Sequence, residues 1–141
     1  MSAEPATRGF DIGYVLFIDI VGYSKLSGEE QKRGVRQLNE TVRATREFQR
    51  REAAGQLLRV PAGDGMALVF STSPEAPVQC ALEISRALKE QPHMPVRMGV
   101  NSGPIDQVED INDRSNVSGA GINMAQRVMS CGDAGHILVA N

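Results

Sequence analysis

The stretch Val15-Leu16-Phe17-Ile18-Asp19-Ile20-Val21-Gly22-Tyr23-Ser24 decides the fold. Its first six residues close a dense apolar run from Ile12 to Ile20, which reads as a strand buried on both faces. The run carries a carboxylate near its end and breaks at a glycine turn, so a negative charge stands at the mouth of a sheet. Pro61-Ala62-Gly63-Asp64-Gly65-Met66-Ala67-Leu68-Val69-Phe70 sets a second carboxylate beside a turn. A single Asp-Gly commonly does no more than start a turn. Two carboxylates on adjacent strands can instead hold Mg²⁺, a hard cation that takes oxygen ligands and is often shared with substrate phosphates.

Around these stretches the predicted elements alternate. Ser27 and Glu30 have capping-box spacing for a helix running to about Ala53, with Val35, Leu38, Val42, Thr45 and Phe48 on one face and Gly55 as its stop. Gln56–Val60 and Met66–Phe70 form a hairpin with Asp64 near its tip. Ser73-Pro74 opens a second helix with Ser73 as N-cap, and Val78, Ala81, Leu82 and Leu88 form its stripe. Val96–Val100 is a strand. Residues 104–118, rich in Asp and Asn, form an arm or loop with one short strand. Ile122–Met129 is a helix stopped by Gly132, and His136–Ala140 is a last strand. The class is α+β: a ferredoxin-like βαββαβ core with an added arm, helix and strand.

The 141 residues make one domain, expected over 11–141 after a loose segment at 1–10. A net charge of −2 offers no electrostatic case for nucleic acid or a membrane surface. The richest basic stretch (Lys32, Arg33, Arg36, Arg43, Arg46, Arg50, Arg51) is interleaved with glutamates and reads as a solvated helix face. Cys80 and Cys131 show no metal or redox spacing, so two partly buried thiols in a reduced, cytoplasmic setting are expected. No hydrophobic leader or membrane-length apolar run occurs.

Asn123 and Arg127 stand four apart and share a helix face. Alone they would be an exposed polar face. Beside two carboxylate turns they also suit a ribose oxygen and a phosphoryl charge. With them the sequence resembles the class III adenylate/guanylate cyclase catalytic domain. Phe17–Ser24 and Gly63-Asp64-Gly65 resemble the two metal motifs. Arg97–Gly103 resembles the strand after the second helix, with Asn101 where relatives usually carry His. Gly119–Arg127 resembles the Asn/Arg helix, and Gly135–Val139 the strand after it.

The resemblance implies conversion of a nucleoside triphosphate to a 3′,5′-cyclic nucleotide and pyrophosphate, with two Mg²⁺ or Mn²⁺ ions per site. Asp19 and Asp64 would hold the metals, assisted by the carbonyl of Ile20. Backbone amides of Ile20, Val21, Gly22, Tyr23 and Ser24 would cradle phosphates. Asn123 would position the ribose and Arg127 would stabilise the transition state. Sites built between subunits imply a homodimer. The base-reading positions carry Val60, with Arg59 beside it, and Asn116. Val60 has no donor or acceptor, so ATP, GTP and pyrimidine triphosphates all stay open as substrates. The chain ends before the family's C-terminal lysine segment, so part of the family fold is expected to be missing. A catalytically weak dimerising or nucleotide-sensing module is the alternative. A diguanylate cyclase would need a GG[DE]EF-type sequence and a haloacid-dehalogenase-type phosphatase a DxD, and neither is present. His93 and His136 give no support to Ser/His/Asp catalysis.

Overall fold

The computed structural model describes residues 11–62, 65–90, 95–109, 115–118, 120–133 and 135–140. Its centre is β1 (Asp11–Ile20), paired antiparallel on one side with β3 (Gly65–Phe70) and on the other with β4 (Val96–Glu109). An edge strand, β2 (Leu57–Ala62), pairs with β3 and accommodates Pro61, whose missing N–H suits an edge. β5 (Ser115–Ser118) folds back on the end of β4, and β6 (Ile137–Val139) runs parallel to its start. The order β2-β3-β1-β4-β5 contains the expected ferredoxin-like core.

Each sheet face has its own core, because strand side chains alternate. Leu16, Ile18 and Ile20 point with Leu68, Phe70 and Met98 toward α1 (Gly28–Arg43), α2 (Arg46–Ala53) and α3 (Glu75–Leu88). Val15 and Phe17 point with Ala67 and Val69 to the other face, under α4 (Ala120–Ser130). Val15, Leu16 and Ile18 are completely buried, and each such side chain is worth about 1.5–3 kcal/mol relative to exposure. The outer end of the run differs from expectation: Ile12 is 54% exposed.

Gly99 sets how closely α4 approaches. A methyl group there would lie 2.4 Å from the backbone nitrogen of Met129 and 2.6 Å from the carbonyl oxygen of Ala125. Only glycine lets this helix rest so near the sheet.

The long first helix expected from sequence is two helices. α1 begins with the predicted capping box, in which the Glu30 amide donates to the Ser27 hydroxyl and the Ser27 amide to the Glu30 carboxylate. It ends at Arg43. Thr45 then caps α2, accepting from the Phe48 amide while its hydroxyl donates to the Val42 carbonyl. Glu83 of α3 accepts the Arg46 amide at 2.7 Å, satisfying a second donor of that helix start. Thr45 therefore serves as a buried cap and not as a member of a continuous apolar stripe.

Other differences are local. α3 starts at Glu75 with no side-chain cap, so Ser73 contributes only its carbonyl, which accepts from Ala76. Leu82, placed on the buried stripe from sequence, is 40% exposed. The arm is longer and more regular than expected, since β4 runs to Glu109 and pairs with β5. The thiols are unlike each other: Cys80 is buried and Cys131 exposed. Among the described residues no helix is long and apolar enough to cross a membrane.

Candidate active site at the carboxylate end of the central strand

Asp19 occupies the last turn of the pleat before β1 ends, directly opposite Gly65 on β3 and Arg97 on β4. It is only 7% exposed. The Arg97 Nη2 donates to its Oδ2 at 3.4 Å, and Nη1 donates to the Gly132 carbonyl at the same distance. Arg97 Nε is buried without a hydrogen-bond partner among the described residues. A carboxylate held at a sheet mouth beside a guanidinium is an electrostatically built position, because burying either charge alone is costly. From sequence alone Arg97 is only a member of a strand. Its role follows from register, which places it across from Asp19.

The chain leaves β1 through Gly22, whose φ of 76° is left-handed and suits glycine. A single 3-10 turn, Tyr23–Lys25, follows, closed by the Lys25 amide on the Gly22 carbonyl. The amides of Gly22, Tyr23 and Ser24 make no hydrogen bond to described residues. Successive free N–H groups around a left-handed residue form a concavity suited to anions. Val21 departs from the expectation: its amide is donated to the Pro95 carbonyl at 2.9 Å, so it is committed to structure.

Asn123 and Arg127 are both exposed on α4. They flank Ala125 by two residues on either side, which at about 100° per residue places them roughly 160° around the helix from it. Ala125 and Met129 face the sheet, so Asn123 and Arg127 point away from it. Asn101, where relatives of the resembled family usually carry His, donates from Nδ2 to the Gly121 carbonyl and pins the first turn of α4 to β4.

Val60 is half-buried on the α4 side of the sheet, in register with Ala67, Phe17 and Gly99, one row inside Asp19. Arg59 has the opposite parity and shares a row with Leu68 and Leu16, which face α1–α3. The structure therefore separates these two candidates. Asn116 sits on β5 opposite Val108. Asp64 lies outside the described residues. Among the described residues no three His, Cys, Asp or Glu side chains converge. The Asp19 carboxylate and Ile20 carbonyl are oxygen donors of the kind that Mg²⁺ and Mn²⁺ accept.

Comparison with known proteins gives this geometry a family. The sequence matches the adenylate and guanylate cyclase catalytic domain over residues 7–141. Comparison with curated proteins finds no match. Among solved structures, the fold is similar to the guanylate cyclase domain of RhGC from Catenaria anguillulae in complex with GTP. That likeness has 23% identity, covers 95% of this chain and 80% of that one, and gives a TM-score of 0.74. The monomeric guanylyl cyclase domain of a RhoGC double mutant from Blastocladiella emersonii gives 23% identity, 93% and 80% coverage, and a TM-score of 0.75. An adenylate/guanylate cyclase/hydrolase from Silicibacter pomeroyi gives 25% identity, 94% and 77% coverage, and a TM-score of 0.68. With its family match spanning nearly the whole chain, this protein belongs to the adenylate and guanylate cyclase catalytic domain family.

Proposed function

We propose that the chain is a nucleotide cyclase whose catalytic site is completed by a second copy of itself. One observation carries the proposal: Asp19 lies on the sheet face beneath α4, while Asn123 and Arg127 point off the far side of that helix. Side chains that diverge within one chain can converge across a two-fold axis, and two such sites then form per dimer.

In this reading the 3′-hydroxyl oxygen bonds to the α-phosphorus, the bond to the β-phosphate bridging oxygen breaks, pyrophosphate leaves and the hydroxyl proton is lost. Asp19, Asp64 and the Ile20 carbonyl would hold Mg²⁺ or Mn²⁺, two ions per site, which supply activation of the attacking oxygen and stabilisation of the leaving group. The Gly22–Ser24 amides receive the β- and γ-phosphates. Arg97 sets a guanidinium beside the Asp19 carboxylate. Asn123 of the other copy orients the ribose, and its Arg127 stabilises charge growing on the α-phosphate.

The base is the open specificity. Val60 packs against a ring without reading its edge, and Arg59 belongs to the other sheet face, so Asn116 is the remaining polar candidate. Weak discrimination, or a preference outside ATP and GTP, is the expected behaviour. Incubation with Mn²⁺ and each of ATP, GTP, CTP and UTP, with mass detection of cyclic product, tests the proposal. Product that disappears in Asp19→Ala supports it. A dimer that binds triphosphate but forms no product would favour a nucleotide-sensing module, a reading that Val60 also permits.

A further inference from the structure

We propose that the outer face of α1 is a docking groove for an acidic polypeptide segment, placed to act on the turn that follows β1. Lys32, Arg36 and Arg43 line a groove of about 630 Å³ between α1 and that turn. Their spacings of four and seven keep them on one face, over roughly 16 Å of helix. Among the described residues none of the three is in an ion pair.

In the sequence these cations alternate with glutamates; in the folded chain Glu40 is the one carboxylate among the described residues that line the groove, with Glu29 in the first turn of α1 beyond them. Glu30 is held in the capping box at the start of α1. Glu47 lies beyond the helix break and is buried under Arg50 and Arg51. The break at Thr45 thus leaves a net positive stripe on α1. Tyr23 and Val35, both half-buried, form its floor.

Charge complementarity calls for an anion, and the spacing narrows its kind. A single phosphate is too small to reach cations spread over three helical turns. Glu40 stands between Arg36 and Arg43 on the same groove and repels a uniformly charged polyanion such as duplex DNA. A membrane surface favours protruding apolar residues beside the cations; here they form the floor, and the large exposed apolar side chains Ile12, Leu82, Met124 and Val139 lie elsewhere. A polypeptide can space its carboxylates to match, leave a neutral residue over Glu40 and set an apolar side chain on Val35.

Gln31 links this groove to the candidate phosphate turn. Its Nε2 donates to the Tyr23 carbonyl at 3.0 Å, so an occupant touching Tyr23 and α1 bears on Gly22–Ser24. Binding requires only the groove; an effect on turnover also requires that the chain be a cyclase.

The test titrates the full chain with a short labelled helical peptide carrying Glu at i, i+4 and i+11 and Leu between them, read by fluorescence anisotropy. The expected result is salt-sensitive binding that weakens about tenfold or more in the Lys32→Glu, Arg36→Glu, Arg43→Glu triple variant. Amide shifts of the wild-type chain should cluster on α1 and Tyr23–Lys25, a reading independent of any variant. Unchanged affinity in the variant, shifts centred on α2 or α3, or no peptide binding would overturn the proposal. So would phosphatidylserine vesicles or a DNA duplex binding as tightly as the peptide.

Discussion

Replacing Gly99 with alanine would put a methyl group where α4 already lies. The nearest atoms are the Met129 nitrogen at 2.4 Å, the Ala125 oxygen at 2.6 Å and the Met129 Cα at 2.7 Å. All three are backbone, so no rotamer change can make room. Ordinary contact begins near 3.4 Å, so α4 must retreat by about 1 Å, loosening Ala125 and Met129 from Val15 and Phe17. Overpacking of this kind costs about 1–3 kcal/mol, and the upper part of that range applies where backbone opposes backbone. With a urea slope of about 1.5 kcal/mol/M, a loss of 2–3 kcal/mol lowers the midpoint by about 1.3–2 M. Because Asn123 and Arg127 ride on α4, a displacement of about 1 Å should also lower turnover about 10²-fold. Gly28→Ala is the control, since its methyl group would meet nothing within 4 Å. Urea unfolding and cyclase rate for both variants decide the matter. A Gly99→Ala protein as stable as Gly28→Ala would refute the claim that glycine sets this helix–sheet distance.

Three smaller predictions concern the framework. Thr45→Ala removes the α2 cap and should destabilise the fold by about 1–2 kcal/mol; an unchanged urea midpoint would mean that Glu83 alone suffices to start that helix. The Ser27 amide, and then its hydroxyl, hold the Glu30 carboxyl below its usual 4.5. A depressed carboxylate pKa adds stability above the unfolded value, lost as pH falls through the folded one. The stability gap between wild type and Glu30→Gln should therefore shrink below about pH 4.5, and a gap constant down to pH 3 would contradict this linkage. Burial pushes the Cys80 thiol up to about 12 despite its contact with Thr45, whereas Cys131 is exposed. A thiol reagent at neutral pH should find one fast-reacting cysteine in the native protein and two in denaturant.

Much of this was legible because strand and helix periods are local. The Ile12–Ile20 run, the Ser27/Glu30 box and the Asn123/Arg127 pair each announce themselves within a few residues. What escaped depends on distant partners. The break at Thr45 requires Glu83, 37 residues after Arg46, to receive an amide. Arg97 acquires meaning only once β4 lies beside β1, 78 residues from Asp19 in sequence. The parity that separates Arg59 from Val60 was available in the alternation of β2, but the face toward the site is defined by α4. Leu82 fitted a helical stripe by spacing, yet the neighbouring elements do not cover it.

The central claim, that each catalytic site joins Asp19 of one copy to Arg127 of another, is tested most directly by mixing two inactive variants. Asp19→Ala and Arg127→Ala should each be nearly inactive alone. After exchange of subunits, half of the dimers are mixed and one of their two sites has both halves intact, so about a quarter of wild-type cyclic nucleotide production should return. No recovery, with mixed dimers demonstrated in the same sample, would contradict a site shared between two chains.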